Sequence, residues 1–364
     1  MNTDITRRDF IAAASLATIA IATVPVWAQA GGKIQIAFVG VAHIHTPSYL
    51  DLVRKRPDVH IKYVWDHDRE RAERRAKEVG AQLVSDLHTI WDDKEIAAVV
   101  ILSETNRHEE LVIAAVRAGK HLFVEKPLGI TGRESRVMAD SIEKSGLLFT
   151  TGYFTRTDPK FLFLKQEVAA GNFGQITRVR ASNCHAGSLQ GWFDQEWRWM
   201  ADPKISGVGA FGDLGTHKLD ILMWILGDIE AVTAEIRPVT HRYGDCDETG
   251  EALIRFRNGV IGTLAAGWVD IEDPVPFLIS GTEGHAVIFN GQLFYHSKKA
   301  GQNDSSKPVT NLPTALKLPL QQFLDAVAGG QSEPLVRPRE AAARVSVMQA
   351  MYEASRQRAW VNIS

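Results

Sequence analysis

Lys33-Ile34-Gln35-Ile36-Ala37-Phe38-Val39-Gly40-Val41-Ala42-His43-Ile44-His45-Thr46-Pro47 is the stretch that decides the fold. Residues 33–39 are an apolar run of the length of one buried strand. Gly40 supplies a turn, and Thr46 followed by Pro47 reads as a helix entry, because proline is tolerated where the first amides have no partner. A strand, a tight turn and a helix N-terminus in that order make a seat for a dinucleotide's diphosphate, since the free first-turn amides point at it.

Outward from this unit the same alternation continues. Strand-like runs fall at 60–65, 82–84, 97–102, 121–124 and 147–151, with helical stretches at 70–79, up to 118, and at 131–145 between them. Such alternation implies a parallel, doubly wound sheet. Beyond residue 152 the runs follow one another instead, at 176–185, 231–241, 248–257, 260–269, 277–281 and 286–290, and Asn258-Gly259 marks a hairpin. Residues 301–313 are polar and loop-like, and helices at 318–328 and 339–358 close the chain. The fold expected is α/β, with a dinucleotide-binding domain over 31–152. An α+β domain over 153–364 carries a large, mostly antiparallel open-faced sheet.

The 364 residues are 45% apolar and 23% charged with a formal net charge of -2. This is a globular composition with no basic run to track phosphates, so nucleic acid is not an expected partner. Residues 1–30 read separately: Arg7-Arg8-Asp9-Phe10 precedes an apolar run over 11–26, shorter than the ~20 residues of a membrane span. The expectation is a twin-arginine export signal read by the translocation machinery, a periplasmic location and no stable membrane anchor. Proteins on that route travel folded, so a nucleotide cofactor would have to be held tightly and regenerated in place. Cys184 and Cys246 permit a disulfide in an oxidising compartment.

Of the diphosphate fingerprint G-x-G-x-x-G only the first glycine, Gly40, is present; Ala42 stands at the second position and the bulky His45 at the third, where a side chain would crowd the packing of helix on strand. Asp66 ends the second strand where a carboxylate accepts from the adenosine ribose hydroxyls, which favours NAD over NADP; Asp68 is the alternative. Glu125-Lys126-Pro127 closes the fifth strand, at the carboxyl end where ligands sit in such sheets. Asp213 and His217, in Gly212-Asp213-Leu214-Gly215-Thr216-His217, are four apart and share a face of a continuous helix. A carboxylate there would orient the imidazole, and Lys126, Asp213 and His217 together suit removal of a hydroxyl proton.

Two further patterns stand beside these. His43 and His45 precede a helix whose positive end disfavours imidazolium, and neutral imidazole binds metals. With His185 or His217 they would make a zinc site for a hydrolase or lyase. Residues 183–200 interleave Trp192, Trp197 and Trp199 with polar groups, a mixture suited to a sugar ring.

Glu125-Lys126-Pro127, Asp213-Leu214-Gly215-Thr216-His217, Trp197-Arg198 and Ser280-Gly281-Thr282-Glu283-Gly284 together resemble the Gfo/Idh/MocA family, from about residue 33 to the C-terminus. The resemblance implies a Rossmann domain, NAD(P), and carbohydrate or polyol substrates. It makes Lys126, Asp213 and His217 the catalytic set, and Gly40, Ala42, His43, Asp66, Ser103, His108, Glu125 and Lys126 cofactor contacts. It also implies a homo-oligomer built on the open sheet face. The expected activity is oxidation of a sugar, polyol or glycoside hydroxyl, with the zinc enzyme and a non-catalytic exported binding protein as alternatives.

Overall fold

The computed structural model describes residues 32–301 and 304–363. The export segment expected over 1–30 lies outside the described residues.

The first half of the chain runs β1 (Ile34–Val41), α1 (Thr46–Arg54), β2 (Val59–Trp65), α2 (Arg69–Val79), β3 (Gln82–Leu83), α3 (His88–Trp91), β4 (Ile96–Leu102), α4 (His108–Arg117), β5 (His121–Val124), α5 (Gly132–Ser145) and β6 (Phe149–Thr151). The strands pair in parallel in the order β3-β2-β1-β4-β5-β6. Phe38, Val39, Val99, Val100 and Ile101 are fully buried, as continuous apolar strands covered by helices on both faces must be. The chain reverses its winding direction between β1 and β4. That switch point opens a crevice at the carboxyl ends of the strands, which is where a ligand fits.

The second half adds α6 (Pro159–Ala169), β7 (Ile176–Cys184), α7 (Pro203–Ser206), α8 (Ala210–Leu226), β8 (Ile229–Arg237), β9 (Thr249–Phe256), β10 (Ile261–Gly267), β11 (Phe277–Gly281), β12 (Gly284–Phe289), β13 (Gln292–Ser297), α9 (Pro319–Val327), α10 (Pro338–Gln357) and β14 (Val361–Asn362). Its eight strands lie in the order β13-β12-β11-β7-β10-β9-β8-β14. All pairs are antiparallel except β7 with β10. Of these strands β13 and β14 go beyond the six expected. The signal for β13 was present in Asn290-Gly291, whose φ values of 46° and 76° are those of a tight hairpin turn. One sheet face is covered by α8, and the other is open: along β9, Ala252, Ile254 and Phe256 are buried while Glu251, Leu253 and Arg255 are exposed.

Helix α8 is apolar nearly all round and buried along all but Trp224 and Ile225, the mark of a core helix. Its buried polar residues therefore need partners. Asp220 has them in Arg156 (2.6 Å) and Arg344 (3.0 Å). Helix α10 serves both halves. Ala341, Ala342 and Val345 join the core of the parallel sheet, while Val347, Met348 and Met351 join that of the second sheet. Cys184 and Cys246 are free thiols, not a disulfide. Among the described residues no helix is long and apolar enough to cross a membrane.

Candidate active site at the switch point

Strand β5 ends at Val124 and delivers Glu125 and Lys126 to the crevice; the Lys126–Pro127 peptide is cis. Across it stands the first turn of α8. Lys126 Nζ donates to Asp213 Oδ1 at 2.7 Å, and the Trp268 indole N–H donates to the other oxygen at 3.3 Å. Burial by itself would raise the Asp213 pKa, but the Lys126 ammonium outweighs it and holds the carboxyl at about 2. The expectation that Asp213 orients His217 is corrected here. Among the described residues no hydrogen bond joins the two, because the carboxylate turns to the lysine and the indole.

His217 lies one turn along α8, buried, with its ring 4.7 Å from Phe154 and 6.3 Å from Tyr153. Its Nδ1 is buried without a partner. Burial, reinforced by the Lys126 charge, keeps the imidazole well below its ordinary pKa, hence neutral. A neutral imidazole beside a lysine ammonium is a base beside an acid.

Glu125 is the hub of a second cluster. Its carboxylate accepts from His45 Nδ1 (2.8 Å), the Tyr49 hydroxyl (2.9 Å) and the Lys126 amide (2.5 Å). Burial opposes ionisation, but His43, His45 and Lys126 hold the acid well below the usual carboxylate range. Gly152 makes the room, since a Cβ there would lie 2.6 Å from Glu125 Oε2. Sequence reasoning passed over Tyr49, although it sits one helical turn after His45 and so shares its face. It also passed over Trp268 and Phe154, which no local pattern marks.

The remaining expected cofactor contacts surround the crevice. Gly40 has φ +80°, and a Cβ on it would fall 2.5 Å from Ser103 Cβ, so glycine alone lets β1 approach the end of β4. Asp66 is satisfied by protein groups, the Val41 amide (2.7 Å), the Asp68 amide (2.8 Å) and Arg71 Nη2 (2.7 Å). Asp68 caps α2 by accepting from the Arg71 amide. His108 lies between the carbonyls of Leu128 (3.1 Å) and Ser103 (3.3 Å); burial lowers its pKa, so only one ring nitrogen carries a proton to donate. Ser103 Oγ reaches the Glu104 carbonyl. His43 is braced inside the loop, its Nδ1 accepting from the His45 amide at 3.2 Å, and burial drives its pKa down to about 3. The Ala42 carbonyl accepts from the Trp199 indole at 3.2 Å.

The residues fit a dinucleotide at both ends. Thr46 Oγ1, on the first turn of α1 where a diphosphate meets helix amides, is buried without a partner, as is His217 Nδ1 at the reacting end.

The zinc alternative is not supported. His43, His45 and Glu125 do gather within 4.8 Å, but neither His185 nor His217 joins them. The nitrogens facing the carboxylate already take hydrogen bonds from, or make them to, protein atoms. His185 instead accepts the Gly187 amide on Nδ1 at 2.9 Å and stacks on Trp192, ring centroids 4.7 Å apart. A recess of about 970 Å³ between α5, α10 and β14 lies on another face of the molecule. It holds none of these groups.

Comparison with known proteins agrees with this geometry. Residues 34–153 match the oxidoreductase family with the NAD-binding Rossmann fold, and residues 161–287 match the GFO/IDH/MocA C-terminal domain. The chain is 31% identical over 233 residues to levoglucosan dehydrogenase of Pseudarthrobacter phenanthrenivorans, covering 57% of this chain and 58% of that enzyme. It is 28% identical over 328 residues to scyllo-inositol 2-dehydrogenase (NAD(+)) of Bacillus subtilis, covering 86% and 92%. A solved levoglucosan dehydrogenase in complex with NADH shares the fold, with a TM-score of 0.76 at 23% identity over 91% of this chain and 99% of that one. The chain belongs to the Gfo/Idh/MocA oxidoreductase family, and residues 34–153 are the family's NAD-binding Rossmann domain.

Proposed function

We propose that this protein oxidises a hydroxyl of a sugar, polyol or glycoside, with NAD as hydride acceptor. The observation that carries the reading is the pairing of a Lys126–Asp213 ion pair with a neutral, buried His217 at the carboxyl end of β5. NAD, when bound, would supply the hydride acceptor and would be held by the β1–α1 turn and the Ser103 and Glu125 ends of β4 and β5. His217 takes the hydroxyl proton, and the Lys126 ammonium, fixed by Asp213, donates a hydrogen bond to the oxygen as it becomes a carbonyl. The named relatives act on levoglucosan and inositols, which supports a carbohydrate-like substrate.

The twin-arginine pattern of residues 1–30 supports export to the periplasm with the cofactor already loaded. Outside the cytoplasm a released NADH has no pool to exchange with, so the cofactor is captive and is regenerated within the same site. A second carbonyl accepts the hydride back, or a transient oxidation permits a cleavage and is then reversed. The open face of the second sheet supports self-association.

The test is the content and behaviour of the purified protein. Denaturation should release stoichiometric dinucleotide, and levoglucosan or myo-inositol should reduce it in a single turnover. Lys126→Ala should abolish that reduction while cofactor is retained. Stoichiometric zinc with no nucleotide would sink the reading.

A further inference from the structure

The crevice that should hold the dinucleotide is closed by the chain itself. Residues 196–207 cross the carboxyl ends of β1, β4 and β5 and are fastened at each side. Glu196 pairs with Arg74 (2.6 Å) and Arg75 (3.0 Å) of α2. Trp199 bonds the Ala42 carbonyl and lies against His43, with ring centroids 6.0 Å apart. Helix α7 packs on the turn Thr105–Arg107 that follows β4. Gly207, with φ +80°, sits so close to the segment after β5 that a Cβ would meet Ile130 Cα at 2.7 Å.

Beneath this segment Gly40, Ala42, Asp66, Ser103 and Thr105 are all buried. The cavity bounded by His43, Lys126, Trp199 and Asp213 holds about 10 Å³, whereas a small-molecule site needs ~300 Å³ or more. At this reacting end the crevice has no room for a nicotinamide while the segment is in place.

We propose that residues 196–207 are a self-occluding strap, latched by Glu196 on Arg74 and Arg75, that competes with NAD for the switch-point crevice. The inference rests on the nicotinamide reading of the site. Its fastenings are of two kinds. Trp199 and Met200 are buried apolar groups, while the latch has one outer arm, with Glu196 at 34% and Arg74 at 50%, and one inner arm, with Arg75 at 9%, and the outer arm is open to screening by salt. With the strap latched the crevice is closed, and the apparent affinity for NAD is reduced to the fraction of molecules that are open. Cofactor is then seated best while the strap is still unpacked, during folding, in keeping with loading before export.

Stopped-flow uptake of NADH by the nucleotide-free full-length chain, read by nicotinamide fluorescence, tests this. In the wild type the observed rate should level off as NADH rises, because strap opening limits it. Glu196→Gln should raise that plateau and tighten binding by about tenfold, the scale of one exposed and one part-buried ion pair. Salt at 0.5 M, where the Debye length is about 4 Å against about 30 Å in dilute buffer, should speed the wild type and leave E196Q unchanged. The double change Arg74→Gln/Arg75→Gln should behave as E196Q does. Uptake linear in NADH, with equal rates in all three proteins, would overturn the strap alone. Failure of every protein to take up NADH would overturn both the strap and the nicotinamide reading.

Discussion

Lys126 Nζ stands 2.7 Å from Asp213 Oδ1, the ammonium at the end of a parallel strand and the carboxylate on the first turn of a helix that belongs to the other sheet. The helix N-terminus favours the anion, and both side chains are nearly removed from water, at 2% and 12% exposure. One contact thus joins the two halves of the chain and fixes the acid of the proposed reaction.

Replacing Asp213 by Asn strands the Lys126 ammonium without its counter-charge. Breaking a buried pair from one side costs about 3–5 kcal/mol, so Tm should fall clearly. Turnover should drop on the order of a hundredfold, because the lysine loses its fixed direction. A kinetic and thermal comparison with the wild type checks both, and unchanged turnover would remove Asp213 from the machinery.

Acid should destabilise the protein in two overlapping steps. The His43 pKa is lowered to about 3, so the unfolded chain binds a proton that the folded one refuses, and stability declines as pH falls below about 6.5. Asp213, lowered to about 2, contributes stability that is full above the unfolded value near 3.9 and lost as pH falls toward 2. Melting curves from pH 7 to 3 should show this fall. In His43→Asn the amide oxygen still accepts from the His45 N–H, and the fall above pH 4 should become shallower without vanishing, since His217 and His108, also lowered by burial, still contribute to it.

Asp247 behaves in the opposite sense. Burial raises its pKa to about 6, although the Phe211 amide and the Tyr352 hydroxyl both donate to it. A carboxyl raised in the folded state loses stability as pH climbs from about 4 to about 6. Asp247→Asn keeps an acceptor for the amide and avoids the buried charge. It should therefore melt higher than wild type at pH 8 and about equally near pH 4. A lower Tm at pH 8 would show that the charge is compensated.

Gly152→Ala places a methyl 2.6 Å from Glu125 Oε2, which accepts from the Lys126 amide, and 2.8 Å from Oε1, which accepts from His45 and Tyr49. The carboxylate must shift, and overpacking of this kind costs about 1–3 kcal/mol. Turnover should fall with it, since Lys126 follows Glu125 directly and its amide bonds that carboxylate. Normal turnover with normal Tm would show that the hub is more compliant than its contacts suggest.

Much of this was legible in the sequence, for identifiable reasons. The parallel sheet follows from apolar runs alternating with amphipathic helices, a pattern set by local periodicity. Lys126, Asp213 and His217 were marked because each sits beside residues with a local meaning: a strand end, a proline that fixes a turn, a helix start. Tyr49, Trp268 and Phe154 were not, because their significance lies wholly in what they touch across the fold. The role of Asp213 was misread for the same reason. Spacing on one helix places it near His217, but a charge from another strand competes better for its oxygens than a neutral imidazole does.

His45 shows where the division falls. In the sequence it is a bulky residue at the third glycine position of a diphosphate loop, and so an obstacle or a metal ligand. In the fold its ring reaches past the strand ends to Glu125, a bond between residues 80 apart. The sequence alone determined the strand–turn–helix at residues 33–47, the sheet it nucleates and the residue types at the site, because those rest on periodicity and backbone chemistry over a few neighbours. Only the tertiary structure decided which carboxylate serves which cation, and that residues 196–207 close the crevice. Those outcomes depend on distances between distant segments, and burial makes each such pairing exclusive.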